Sequence, residues 1–357
     1  MIQLDDDSTK MMKRLVHLIH RSLIWVIVAS YLIAAFFPGL GLAIRQLSLG
    51  HLTLMGHAVH LTLPRIMLAT LLFNAGLGVR QEALVQMFAK PSLLLGGVLG
   101  NVLVPLLFII AIDLPMRLWH NVDEVQQILV GLALVASMPI AGSSTAWAQN
   151  ANGNLALSLG LVLLTTFVSP LLTPLILHAV GFVTIGDYSS DLHELAAGGA
   201  VSFLGTWVLL PSVLGILTRR AIGESHFAEL RDALKLINYL VLVLLNYANA
   251  ALTLPDAWSR HDLDFLALIL MIVAALCLLA FASGYLVAKH FRADRDSRAS
   301  LMFGLGMNNN GTGLVLASVA LPDHPQVMLP IIFYNLVQHL VASIVDRRMF
   351  GMKNAQA

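Results

Sequence analysis

The stretch "FGLGMNNNGTGLVLAS" occupies Phe303–Ser318, with Asn308, Asn309 and Asn310 in a row between glycines and apolar chain on either side. Glycine costs about 1 kcal/mol in a helix interior relative to alanine, and asparagine side chains compete with the backbone for hydrogen bonds. The stretch therefore predicts a break in a helix. Its meaning depends on the solvent around it, which the rest of the chain supplies.

Of 357 residues, 58% are hydrophobic and only 11% charged, with a mean hydropathy of +0.81. A soluble protein carries about 25% charged residues, so the natural solvent here is lipid. The formal net charge of +1 leaves no basic face for nucleic acid. A single cysteine, Cys277, forms no intrachain disulfide. The start, "MIQLDDDSTKMMKRLVHLIHR", is acidic and then basic. It lacks the basic start and cleavage site of a signal peptide, and reads as a retained cytoplasmic leader.

A helix needs about 20 mostly apolar residues to cross the hydrocarbon. Ten candidate spans follow: 22–38, 61–79, 91–112, 126–149, 154–181, 196–218, 236–254, 264–288, 299–322 and 325–345. Basic residues concentrate on the cytoplasmic side. With the N-terminus inside, 17 of the 21 Lys and Arg fall inside, and only Arg45, Arg65, Arg117 and Arg260 fall outside. No Asp or Glu falls in the interior of a span, so the usual mark of a proton relay or cation site is missing. A helix break at bilayer depth is tolerated where protein or a water-filled cavity satisfies the freed backbone. The asparagine stretch therefore reads as an internal polar site.

A second break is predicted at "SMPIAGSSTAWAQNANGN" (Ser137–Asn154), where Pro139 and Gly142 interrupt the fourth span. The hydroxyls of Ser143, Ser144 and Thr145 stand ready to cap the following half-helix, whose N-terminus attracts anions. The breaks fall in the fourth span of each half. Five is an odd number, so the second half is inverted. Inverted repeats with broken helices at matching positions point to the midplane site of a secondary transporter. The expected architecture is an all-α membrane protein of ten transmembrane helices in two inverted five-helix repeats, helices 4 and 9 broken and crossing. The domains are a leader (1–21), a first repeat (22–181), an extracytoplasmic loop (182–195), a second repeat (196–345) and a cytoplasmic tail (346–357). Ser144, Thr145, Asn308, Asn309 and Asn310 are the candidate substrate contacts. The plainer reading of such glycines is close helix packing. That of Asn74, Asn246, Asn249, Gln338 and His339 is interhelical hydrogen bonding.

Several segments together resemble the bile acid:sodium symporter family. "PIAGSSTAWAQNANGNLALSLG" is similar to the family's helix 4–5 segment, and "GLGMNNNGTG" to its helix 9 signature Glu-x-Gly-Met-Gln-Asn-x-Gly. "FNAGLGV", "SPLLTP" and "LPSVLGILTR" also resemble family segments. The resemblance implies a ten-helix carrier with a core and a panel domain, alternating access, and an organic anion with a hydrophobic body as substrate. It adds Gln338 and His339, either of which takes the place of a family histidine. It puts sodium ligands at Ser144, Thr145, Ser158 and Asn309. The family's helix 9 glutamate falls on Gly304, a family threonine on Val162 and a family glutamine on Gly100. An oxygen-seeking cation thus loses ligands, and the expectation is weak or absent sodium coupling, with one Na+ or H+ at most and no cofactor.

The partners are thus a small organic anion and the bilayer of the cytoplasmic membrane, both termini facing the cytoplasm. Alternatives are a sodium-coupled bile acid-type symporter, a carrier of a small carboxylate such as pantoate, and an intramembrane hydrolase built on Ser143 or Ser144 with His339. No Gly-x-Ser-x-Gly elbow or HExxH motif supports the hydrolase. Cys277, outside both breaks, reads as packing.

Overall fold

The computed structural model describes residues 25–54, 57–79 and 81–351. The predicted leader and the end of the tail lie outside the described residues. In chain order come α1 (Trp25–Phe36), α2 (Gly39–Gln46), β1 (Ser48–Leu54), β2 (His57–Thr62), α3 (Leu63–Leu77), α4 (Gln81–Gln86), α5 (Pro91–Met116), α6 (Val122–Ser137), α7 (Ser143–Asn150) and α8 (Leu155–Gly181). Then follow α9 (Gly186–Glu194), α10 (Ala200–Leu204), α11 (Leu210–Ala250), α12 (Leu254–Arg260), α13 (Leu263–His290), α14 (Arg295–Gly306), α15 (Asn310–Ala320) and α16 (Met328–Val345). Helix lies within each of the ten predicted ranges. The segment 182–195, predicted as loop, carries α9. The one described sheet, the antiparallel hairpin β1–β2, pairs Ser48 with Thr62 and His51 with His60.

Among the described residues, five helical stretches are long and apolar enough to cross a membrane, and the bent pair α1–α2 makes a sixth. Of the ten predicted spans, 196–218 and 236–254 fall in one continuous helical stretch, Gly186–Ala250, two are broken, and α3 has 15 residues, about 22 Å at 1.5 Å per residue. This is an all-α membrane protein with one small hairpin.

The chain divides into two compact units. The first joins Met1–Val79 to Trp207–Arg260. Within it, α1 turns by 93° into α2. Tyr31 donates to Asn246 Oδ1 at 2.9 Å and Arg45 to Asn249 Oδ1 at 2.7 Å, the interhelical role expected of these amides. Backbones of α3 and α11 meet directly, since a Cβ on Gly76 would lie 2.2 Å from Ser212 O. Helix α11 runs through the basic loop expected between two spans, turning at Gly223 with φ 74°. Arg219, expected in that loop, is buried beside Glu224 and over the Phe227 ring.

The second unit joins Arg80–Thr206 to His261–Ala357. Several of its helices start at side-chain caps that satisfy otherwise unpaired N–H groups: Asn121 for α6, Asn154 for α8, Asp262 for α13 and Asp294 for α14. Lys90 pairs with Asp294 and also reaches Ser297. Hydrogen bonds to Asp294 from Lys90 and from Ser297 hold its carboxyl down at about 2. Leu93, Leu94, Ile140, Leu157, Leu161, Ala288, Leu301 and Leu305 form an apolar cluster within this unit.

Candidate functional site

Both predicted breaks are present, and both lie in the second unit. Helix α6 ends at Ser137, and Met138 is extended at φ −81°, ψ 146°, as sterics demand of a residue before proline. Helix α14 ends at Gly306, with Met307 extended at φ −128°, ψ 111°. The two interruptions pair with each other as a two-stranded antiparallel bridge at Ile140 and Asn308. Ala141 N donates to Met307 O at 2.9 Å, and Asn309 N to Pro139 O at 2.9 Å. A helix starts on the far side of each strand, α7 at Ser143 and α15 at Asn310. Two half-helix N-termini, each with a partial positive charge, thus open beside one crossing.

The freed backbone is satisfied by protein, as burial in lipid requires. Ile140 N donates to Thr165 Oγ1 at 3.1 Å, and Thr173 Oγ1 donates to Ser137 O at 2.6 Å. Asn308 Nδ2 donates to Val135 O at 2.9 Å, closing the end of α6. Gln338 Oε1, reaching in from α16, accepts from Asn308 N and from Asn310 Nδ2, both at 3.0 Å. Asn309 Oδ1 caps α15 by accepting from Thr312 N at 3.3 Å. Tyr334 OH donates to Gly306 O at 3.4 Å, with Cys277 Sγ 4.0 Å from the same oxygen. Cys277 therefore sits against the second break, not apart from it.

The expected hydroxyl capping of α7 is not what occurs. Its cap is Gly142, with no side-chain cap bond, because the incoming strand is already held by the bridge to Met307. Ser144 is fully buried with no partner for Oγ among the described residues, and Asn308 Oδ1, Asn310 Oδ1 and Thr312 Oγ1 are likewise unpartnered. All four are oxygens, all at the crossing or in the first turn beyond it. Thr145 and Ser158 satisfy each other at 3.2 Å. His339 Nδ1 lies 3.4 Å from Trp147 Nε1, its donor. The structure thus gathers Asn308, Asn310 and Gln338 into one hydrogen-bonded group and pairs His339 separately with α7.

The places where the resemblance lost polar ligands are apolar in three dimensions. A Cβ on Gly304 would lie 3.2 Å from Leu161 Cδ1 and 3.8 Å from Ile140 Cδ1, and one on Gly100 would lie 2.6 Å from Leu305 Cδ2. Sequence reasoning missed Thr165, Thr173, Thr312 and Trp147. Helix hydroxyls usually bond back to their own helix, so no pattern along the chain marks these two α8 threonines as partners of α6.

A model of the SBF-like CPA transporter family matches residues 21–350. The chain belongs to that family. Two relatives from Bacillus subtilis (strain 168) are similar to it. One is the uncharacterized protein YbaS, 28% identical over 242 residues, covering 67% of this chain and 75% of that protein. The other is the uncharacterized sodium-dependent transporter YocS, 24% identical over 298 residues, covering 81% and 86%. As a member of the SBF-like CPA transporter family, the protein is an integral multi-pass membrane transporter of a small molecule, not an enzyme. The hydrolase alternative falls with that membership, and the partner seen at His339 Nδ1 is a tryptophan, not a serine.

Proposed function

We propose that the protein is a secondary active carrier of a small or amphipathic organic anion across the cytoplasmic membrane, working by alternating access. The observation that carries this reading is the backbone bridge between the breaks after α6 and α14, with two half-helix N-termini opening beside it. A midplane crossing of discontinuous helices is how many secondary transporters meet a charged solute. In this reading the two broken helices occupy matching places in two inverted five-helix repeats, with both termini cytoplasmic. Ser144, Thr145, Asn308, Asn309 and Asn310 meet the substrate, with Gln338 and His339 behind them.

Coupling follows from the donor set. Gly304 and Gly100 face leucine and isoleucine side chains, so the positions that would carry a carboxylate and an amide offer a cation nothing. A buried cation without a paired charge is expensive. The unpartnered oxygens of Ser144, Asn308, Asn310 and Thr312 do suit one monovalent cation, since hard cations take uncharged oxygen ligands. They form a different set from Thr145, Ser158 and Asn309, whose oxygens already have partners. We therefore propose at most one coupled ion. The likeness to YocS, an uncharacterized sodium-dependent transporter, favours a second reading in which that ion is Na+ and is required.

Uptake of a panel of organic anions into proteoliposomes, with sodium or choline outside and pH fixed, tests both. The expected result is saturable uptake of at least one anion, with a Hill slope for sodium no greater than one. A slope near two would show that two ion positions exist without a glutamate at Gly304, and would overturn the coupling proposal. No anion uptake at all would overturn the substrate class.

A further inference from the structure

Beyond the end of α16 the chain makes one more turn, Asp346–Phe350. Arg347, Arg348 and Met349 are exposed, yet Phe350 is only 6% exposed. One apolar side chain of an otherwise solvated turn is inserted into the second unit. Its ring lies 6.0 Å from that of Phe303, which in turn stacks at 6.0 Å and 17° on Trp147. Phe303 lies three residues before Gly306, where α14 breaks. Arg295, at the start of α14, covers the Phe350 ring with its guanidinium 5.3 Å away. The same group donates from Nη2 to the Phe350 carbonyl at 2.8 Å and reaches Ala151 O from Nη1 at 3.5 Å.

This seat sets one aromatic ring, Phe303, itself backed by the stacked Trp147, beside a cation that grips an oxygen on the occupant. Its chemistry is that of a site for an aromatic ring bearing a carboxylate, with the Phe350 ring and carbonyl oxygen standing in for ring and anion. The guanidinium reads a carboxylate better than a peptide carbonyl, because a charge-assisted, bidentate bond is stronger than a neutral one. A carboxylate would therefore displace the carbonyl if the turn moved aside. The turn is held by this one inserted side chain and by the Arg295 bond to its carbonyl, while Arg347, Arg348 and Met349 are exposed.

We propose that Phe350 is a displaceable plug, and that the seat formed by Phe303 and Arg295 takes the aromatic end of an anionic ligand when the C-terminal turn swings out. The proposal rests on the anion-carrier reading above and adds an aryl carboxylate as the ligand class.

The test is calorimetric titration of the purified full-length protein in detergent with phenylacetate, and with acetate as control. Phe350→Ala is expected to bind phenylacetate at least 10-fold more tightly than the unaltered protein, with acetate unchanged. Adding Arg295→Gln to Phe350→Ala is expected to remove the gain. A chain stopped after Arg348 should repeat the gain, and decides the matter if Phe350→Ala does not fold. Equal phenylacetate binding by the unaltered, Phe350→Ala and truncated proteins would overturn the proposal, and a lower melting temperature alone would mark Phe350 as mere packing. Detergent binding needs no transport. Failure here with anion uptake intact in proteoliposomes would sink the plug alone, whereas the expected binding without uptake of any anion would sink the carrier reading alone.

Discussion

The two breaks that cross in the second unit are made by opposite means. After α6, Pro139 subtracts: it has no N–H and forces Met138 out of helical geometry. After α14, Asn308, Asn309 and Asn310 add: three amides offer the backbone partners other than its own helix. The consequences differ accordingly. The proline break depends on borrowed groups, Thr165 and Thr173 from α8 and Asn308 from the opposite strand. The asparagine break caps its own outgoing helix through Asn309 and lends an amide to its neighbour. It also retains more unsatisfied oxygen, on Asn308, Asn310 and Thr312 against Ser144 alone on the other side. A break made by subtraction is closed mostly by groups from its neighbours. One made by addition has polar capacity left over, and that surplus is where we propose that a solute or ion is recognised.

That contrast breaks most decisively on transport. Asn309→Ala removes the α15 cap, at about 1 kcal/mol, and is expected to abolish anion uptake while leaving the protein folded in the membrane. Ser144→Ala removes an oxygen with no partner, and should lower uptake less than Asn309→Ala. Initial uptake rates, normalised to the folded fraction from size-exclusion chromatography, check both. Equal losses would erase the distinction between the two breaks.

A smaller effect is expected on stability, with the order reversed. Thr165→Val leaves the Ile140 N–H buried without an acceptor, which costs about 1–3 kcal/mol. Ser144→Ala should change stability by less than about 0.5 kcal/mol, since no bond is lost. Thermal melts in detergent measure the difference. If Ser144→Ala proved the more destabilising, its hydroxyl would have to be bonded in solution.

The smallest effect lies outside the crossing, at the cap of α14. Asp294 is held near 2 in the folded protein, against about 3.9 when unperturbed. Its folded value is depressed, so its contribution is full above the ordinary value and is lost as pH falls from about 4 to about 2. Asp294→Asn keeps the capping oxygen and removes the charge. The melting temperature of this variant should fall less over that interval than that of the unaltered protein. A parallel decline would show that the pairing with Lys90 contributes nothing.

Much of this was legible along the chain because it follows from local chemistry. Low charge and long apolar runs place the protein in lipid. Proline and glycine at 139 and 142, and three amides among glycines at 308–310, disfavour helix whatever surrounds them, and the helix does stop there. Glycine at 304 offers no side-chain ligand in any fold. What tertiary structure alone decided is which atoms answer one another. Residues 138–141 and 307–309 meet as strands, Thr165 and Thr173 turn toward α6 instead of only to their own helix, and Cys277 lies against Gly306. Phe350, in the segment expected as a cytoplasmic tail, folds back under Arg295. A hydrogen bond is set by distance and direction between groups far apart in sequence, and composition and spacing carry no record of that. The sequence by itself determined that polar groups are buried at these two places. Only the folded chain determined which of them are satisfied and which are left without a partner.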